Sequence, residues 1–483
     1  MEGRASSVRS ADVVVVGAGL SGLYAAKLMK DVAPDVSVVV VEASRHVGGR
    51  VKEQDGLCDW PVQLGPEFIH GKENSVLMTM IESWGWKTRE LEWPDKYYFA
   101  DTKETCSSEN ENEDIQKVHA FFDNILQEDE EEGMRNKNAN RNRNRSVKDI
   151  LRERGFSERQ IEIAEVCYAN DFGTSLSKMG LAELKEEKVS WKYGESYLIL
   201  DRPLSCLVEK LANGAGKILT NWQAKKIEYV ASVSKGGNGG NVIASKGSKQ
   251  CSVVNQNGQR IECDAIVLTV PLTILQDDDI LFHPPLPPEK REAVSRVGMS
   301  TAIKVCLVFK HQFWPDNFWD ACCPFGFLPE IWATKYPNES SKSEGGCEQA
   351  DKVAIIGFIA GERAEQMSKM TQEDIVVSSL SQLDEMFGSR IEEAPATLAF
   401  HSCHVKDWSQ EPFIRGAYTY PSTAQRGDRG ILAKSAGTLF FAGEATHEGV
   451  NPCMQGALET SERVVTELFQ TFQFKAKTNW SKL

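Results

Sequence analysis

Three glycines in the run Gly17-Ala18-Gly19-Leu20-Ser21-Gly22 have the spacing of a phosphate cradle. Gly17 permits a tight turn, Gly19 lets the backbone approach a pyrophosphate, and Gly22 lets the next helix pack close. Leu20 and Ser21 complete the turn. Glu42 follows about twenty residues later, where an acid accepts the hydroxyls of a ribose. Just past it, Ala43-Ser44-Arg45-His46-Val47-Gly48-Gly49-Arg50 supplies two glycines and two arginines for a second approach to a pyrophosphate. Together these residues describe dinucleotide binding. Lys304 is a different signal. It sits inside apolar Ala302-Ile303-Lys304-Val305-Cys306, and a lysine in such a setting loses its charge readily.

The cradle works only between a strand and a helix. Residues 13–16 are an unbroken valine run, 23–29 read as a helix, and 36–41 read as a second strand ending in Glu42. Further strands are expected at 265–270, 300–309, 353–358 and 438–442. Helices are expected at 204–213, 373–387 and 456–469. Strands alternating with helices indicate an α/β layer around a parallel sheet. Residues 103–146 form a polar, acid- and Asn-rich stretch read as largely flexible, solvated loop. One helix is expected within it, at 114–126. Residues 232–249 and 336–351 read as exposed loops.

The chain has 483 residues, enough for two or three domains, with 41% hydrophobic and 26% charged residues. A net charge of −14 argues against nucleic acid, whose binders are generally basic. It is compatible with a polycationic substrate, because a negative field concentrates cations near the surface, although from charge alone acidity that merely aids solubility is the plainer reading. No apolar run is long enough to span a bilayer, and residues 1–12 do not read as a secretion signal. The 12 cysteines form no C-x-x-C pair and are expected as free thiols. No His/Cys cluster has metal-ligand spacing, so no metal is expected. The sequons at Asn144, Asn338 and Asn479 are then chance matches. The terminal Ser481-Lys482-Leu483 is a peroxisomal address read by an import receptor, which sets peroxisome ahead of cytoplasm as the expected location.

Two further motifs specify the dinucleotide. Leu64-Gly65-Pro66-Glu67-Phe68-Ile69-His70-Gly71 is one; Leu439-Phe440-Phe441-Ala442-Gly443-Glu444-Ala445-Thr446-His447 is the other. With the fingerprint and Gly48-Gly49-Arg50, they make the chain resemble the flavin-containing amine oxidases. Within that family it is most similar to plant polyamine oxidases of the spermine and thermospermine branch. The resemblance runs from Ala11 to about Phe469.

That resemblance implies a Rossmann-like FAD-binding domain built from discontinuous pieces, 11–90, 201–299 and 409–475. Residues 91–200 and 300–408 would form a substrate domain, a mixed sheet flanked by helices. Glu42, Arg50 and Glu444 would hold FAD, with Ala43, Arg45, Gly49, Leu64, Gly65, Pro66, Glu67, Ala224, Trp408, Gly443 and Met454 around it. Some relatives tether the flavin to a cysteine where this chain has Ala417, so non-covalent FAD is expected. Lys304 would hold a water against flavin N5. Tyr418 matches one wall of an aromatic pair bracketing the amine, but the other wall here is Cys453, which implies a differently shaped tunnel. Phe68 would lie beside the flavin. His70 stands where some relatives carry a glutamate, and a neutral imidazole can bond an amine without adding charge. Asp171, Glu183, Glu187, Glu195 and Asp201 are candidates for reading the remote ammonium groups.

The implied reaction is oxidation of spermine-like polyamines at a secondary amine by O2. It would give a shorter polyamine, an aminoaldehyde and H2O2, a back-conversion. Histone-lysine demethylases share the machinery, but only twelve residues precede the first strand here, with no room for their helical module. Ala417 and Cys453 weigh against a monoamine oxidase. The non-enzymatic alternative is a flavin-binding regulatory protein.

Overall fold

The computed structural model describes residues 9–58, 60–91, 96–108, 111–126, 145–231, 249–334, 352–424, 427–450 and 453–472. The acid and Asn-rich runs at 127–144, nearly all of the two expected loops at 232–249 and 336–351, and the terminal Ser-Lys-Leu lie outside these residues.

Strand β1 (Val13–Val16) is fully buried, as is β2 (Val38–Val41). Four consecutive β-branched residues covered on both faces are the pattern of a central parallel strand. The two pair in parallel, and β1 also pairs with Ala265–Leu268. Lys217–Leu219 and Leu439–Phe441 complete a five-stranded parallel sheet. Helix α1 (Leu20–Val32) begins at Leu20, three residues earlier than the apolar pattern indicated. Its Gly22 allows that early start, since a Cβ there would stand 1.9 Å from the Gly17 carbonyl oxygen. One face of the sheet packs against α1, Ser205–Gly214 and Met454–Phe472. The Ser21 and Ser461 hydroxyls, 3.0 Å apart, and the Tyr24 hydroxyl donating to Glu462 at 2.9 Å fasten α1 to the last helix. The other face is covered by a four-stranded sheet containing Ala224–Glu228 and Cys251–Asn255.

A seven-stranded sheet forms the second layer. Its second strand from one edge, Ala302–Phe309, is buried at all eight positions and paired antiparallel with Val353–Ala360 and Phe400–Asp407. Glu330–Thr334 adds to Val353–Ala360, and Asp320–Cys322 adds to Glu330–Thr334. The expected helix near 114–126 is present as Glu113–Asp123, but the stretch around it is not merely solvated. Ile115, Val118, Phe121 and Phe122 are buried against Tyr97, Phe99, Ile150 and Ile163. Asn112 caps this helix by accepting the backbone N–H groups of Asp114 and Ile115, so a polar composition conceals a core element. The helix Glu158–Ala164 continues as a π-helical turn, Glu165–Ala169.

Candidate functional site

A cavity of about 1200 Å³ runs from the end of β1 to the seven-stranded sheet. Its first compartment is built from the fingerprint. Gly17, Gly19, Leu20 and Ser21 line it, and nothing lies within 4 Å of where a Cβ on Gly19 would sit. Gly19 also caps α1 without a side-chain hydrogen bond, so the first-turn N–H groups face the cavity, an anion-binding arrangement.

Glu42 leaves the end of β2 with Oε2 accepting the Ala18 N–H and Oε1 the Ser44 N–H, both at 2.8 Å. Burial pushes its carboxyl above the ordinary range, while those backbone hydrogen bonds pull the other way. Arg50 Nη1 donates to Glu444 at 2.8 Å and to the Ala417 carbonyl at 2.9 Å. Burial would raise the Glu444 carboxyl, but the Arg50 and Arg429 charges and the Thr419 hydroxyl hold it below the usual range. Trp408 is buried and donates Nε1–H to the Leu64 carbonyl at 2.9 Å. Ala43, Gly49, Leu64, Gly65, Pro66, Ala224, Gly443 and Met454 join the same wall. Arg45 is exposed and does not line the cavity; Ser44 and His46 do. Gly22 serves helix packing instead. The open glycine turn, the strand-end carboxylate and the Arg50–Glu444 pair fit the pyrophosphate and ribose of FAD. Ala417 offers no thiol for a tether.

Lys304 lines the cavity beside Glu67 and Trp332. It is not a lone ammonium in an apolar strand: its Nζ donates to Glu67 Oε2 at 3.0 Å and to the Gln63 carbonyl at 3.1 Å. The Nζ also lies 5.1 Å above the Trp332 ring. Glu67 therefore faces the lysine as well as the cavity.

The second compartment carries acids and aromatic rings. Phe68 packs edge-on against Trp332, with centroids 5.4 Å apart. Tyr418 donates its hydroxyl to the Asp171 carbonyl at 3.1 Å. Cys453 lines the wall, its thiol pushed up by burial. Burial pushes His70 down to about 4, so its ring is neutral at neutral pH. Of the five candidate acids, Asp171, Glu187 and Glu195 reach the wall. Glu183 instead accepts the Gly427 N–H, and Asp201 pairs with Arg202. Glu330 was not anticipated. It is buried, lines the same wall and accepts a hydrogen bond from Asn170 Nδ2 at 2.9 Å. Burial pushes Asp171 up to about 7, although the side chain has open access to the cavity. Burial, then the Asp171 charge, pushes Glu330 well above its ordinary value. Among the described residues no group of three or more His, Cys, Asp or Glu is arranged to hold a metal ion. No described helix is long and apolar enough to cross a membrane.

The family model for flavin containing amine oxidoreductases matches residues 20–468. Lysine-specific histone demethylase 1B of Mus musculus is 25% identical over 480 residues, covering 94% of this chain and 52% of its own. Flavin-containing amine oxidase B of Cavia porcellus is 25% identical over 482 residues, covering 95% of this chain and 86% of its own. The chain thus spans about half the length of the demethylase relative. Cyclohexylamine oxidase from Brevibacterium oxydans superposes with a TM-score of 0.75 at 18% identity, covering 96% of this chain and 100% of that one. Putrescine oxidase bound to putrescine superposes with a TM-score of 0.73 at 18% identity, covering 96% and 99%. The structural likenesses establish the shared fold.

Proposed function

Because the chain belongs to the family of flavin-containing amine oxidoreductases, we propose that it is a polyamine oxidase. It would act on spermine- or thermospermine-like amines at a secondary nitrogen, with O2 as acceptor. Hydride loss would leave an imine, and water would hydrolyse it, so the products would be a shorter polyamine, an aminoaldehyde and H2O2. Its cofactor is FAD, held without a covalent bond, which when bound supplies the hydride acceptor and the reaction with oxygen. The protein's own groups bind, orient and neutralise. An aliphatic amine arrives as an ammonium, with a pKa near that of lysine, about 10.4. An enclosed wall with a neutral His70 and the Tyr418 ring favours the uncharged nitrogen that hydride loss requires. The Lys304 ammonium, fixed between Glu67 and the Gln63 carbonyl, presents a hydrogen-bond donor without reorganising.

The observation that carries this reading is the second compartment. Asp171, Glu187, Glu195 and Glu330 share one cavity with Lys304 and Tyr418. Carboxylates beside aromatic faces suit a flexible cation with several charges. The demethylase-like reading is favoured by the named relatives and separates in one assay. Peroxide release is measured with spermine, thermospermine, putrescine, benzylamine and a dimethyl-lysine peptide, and the products are identified. Turnover of the tetramines supports the proposal; turnover confined to the peptide or to monoamines overturns it.

A further inference from the structure

Two thiols meet in the wall of the second compartment. Cys167 lies on the π-helical turn Glu165–Ala169, and Cys322 ends the strand Asp320–Cys322. Both line the cavity, and their side chains hydrogen-bond one another. Each backbone is anchored separately. Cys322 donates its N–H to the Lys96 carbonyl at 3.0 Å. It also ends the cross-strand row that runs from Lys304 through Phe358 and Glu330. Three strand spacings put it about 14 Å from Lys304 along that row. The turn is anchored by buried Val166 and Ala169, and by the Tyr168 hydroxyl 2.7 Å from His119 Nδ1. Turns of this kind are frequent at functional sites, and this one carries a thiol to the cavity.

The two sulfurs are not equivalent. Cys322 is 5% exposed, and Cys167 is the more open of the pair. The hydrogen bond to Cys167, then burial, pushes the Cys322 thiol well above its ordinary value. Cys322 therefore keeps its proton and points it at the Cys167 sulfur. An accessible thiol beside a second, resolving thiol is the arrangement that peroxide oxidises reversibly. Among the described residues no metal-binding group of His, Cys, Asp and Glu includes either cysteine.

We propose that Cys167 and Cys322 are a modification site for hydrogen peroxide, which joins them in a reversible disulfide. The inference rests on the amine oxidase reading for its source of peroxide, released into the same cavity. The Cys167 sulfur, once deprotonated, attacks one peroxide oxygen. The O–O bond breaks, and the other oxygen leaves as hydroxide and takes up a proton to become water. Cys167 is then a sulfenic acid. The Cys322 sulfur attacks that sulfur, the S–O bond breaks, and the hydroxyl departs with the Cys322 proton as a second water. Two thiols lose two electrons and one peroxide is reduced to two waters. Bond formation draws the sulfurs from hydrogen-bond contact to about 2.05 Å, which ties the π-helical turn to the edge of the strand.

The flavin-loaded protein is treated with H2O2, its free thiols are alkylated, and the peptides carrying Cys167 and Cys322 are followed by mass spectrometry. In wild type the two peptides should appear linked, and dithiothreitol should separate them. In Cys322→Ser, dimedone should label Cys167, the sulfenic acid left without a resolving thiol. Wild-type protein in which both thiols stay alkylatable overturns the site, as does dimedone labelling of Cys322 rather than Cys167 in the single-cysteine variants. A second experiment supplies spermine instead of peroxide, with catalase in the bulk solution. The same link should form, because peroxide meets the pair before leaving the cavity; a link that catalase abolishes overturns capture inside the cavity. If no amine is oxidised, the oxidase reading has failed, and added peroxide alone decides the cysteine pair.

Discussion

Lys304 and Glu67 form an ion pair of 3.0 Å in which the side chains are only 6% and 7% exposed. Removing one partner of a buried pair leaves the other charge uncompensated, at a cost of about 3–5 kcal/mol. Lys304→Met should therefore destabilise the protein by that amount, and Lys304→Met with Glu67→Gln should regain most of it. Flavin reduction by spermine or reoxidation by oxygen should be slowed about a hundredfold in both, because a preorganised donor has been lost. Denaturant unfolding and stopped-flow absorbance measure the two effects separately. If the double variant recovers speed along with stability, Lys304 serves only as the counter-ion of Glu67.

Glu42 is held by two backbone N–H groups at the rim of the glycine turn. Glu42→Ala removes the carboxylate placed for the ribose and frees the Ala18 and Ser44 donors. The purified variant should carry much less flavin than wild type at equal protein concentration. Wild-type flavin content would refute the role. In the parent protein, acid precipitation should release intact FAD into the supernatant, since position 417 is alanine. Flavin retained in the pellet would contradict that.

Asp171 gives the site a pH dependence. Its carboxyl is raised to about 7, so the group is neutral below that value and gains its negative charge above it. Glu330, Tyr197 and Tyr418 face it and are also shifted upward. A cationic substrate should bind more tightly as pH rises through about 7, and KM for spermine should fall across that range. Asp171→Asn should flatten the change. The same pH slope in the variant would remove Asp171 from the explanation.

Residues 474–483, attached to the C-terminus of a fluorescent protein, should direct it to peroxisomes. Deleting Ser481-Lys482-Leu483 should leave the signal diffuse. Diffuse fluorescence with the intact segment would count against this address.

The dinucleotide half of the site was readable because its chemistry is local. Val13 to Gly22 is one continuous strand, turn and helix, and Glu42 is placed by a single βα step. The substrate half depends on register, which no short stretch reveals. Glu330 illustrates this. Its mid-strand setting, Leu328-Pro329-Glu330-Ile331-Trp332, carries the same signal that singled out Lys304, a charge among apolar residues. Only the pairing through Phe358 shows that the two signals concern one surface. The role of Glu67 was hidden for the same reason, since its partner lies 237 residues away. The helix Glu113–Asp123 was legible from its apolar spacing, while its burial was masked by the polar residues around it.

On the seven-stranded sheet Lys304, Phe358, Glu330 and Cys322 stand opposite one another in a single cross-strand row, and that row bears on how such an enzyme diversifies. The glycine turn and Glu42 belong to one sheet, and the row from Lys304 to Cys322 belongs to another. A substitution at position 358, 330 or 322 alters what lies along the substrate's path without touching the residues that grip the dinucleotide. An inserted or deleted residue in these strands would instead turn the row's side chains to the opposite face. Descendants of this chain therefore have a narrow, stepwise route to new amines: exchange of side chains at fixed positions, with strand length preserved.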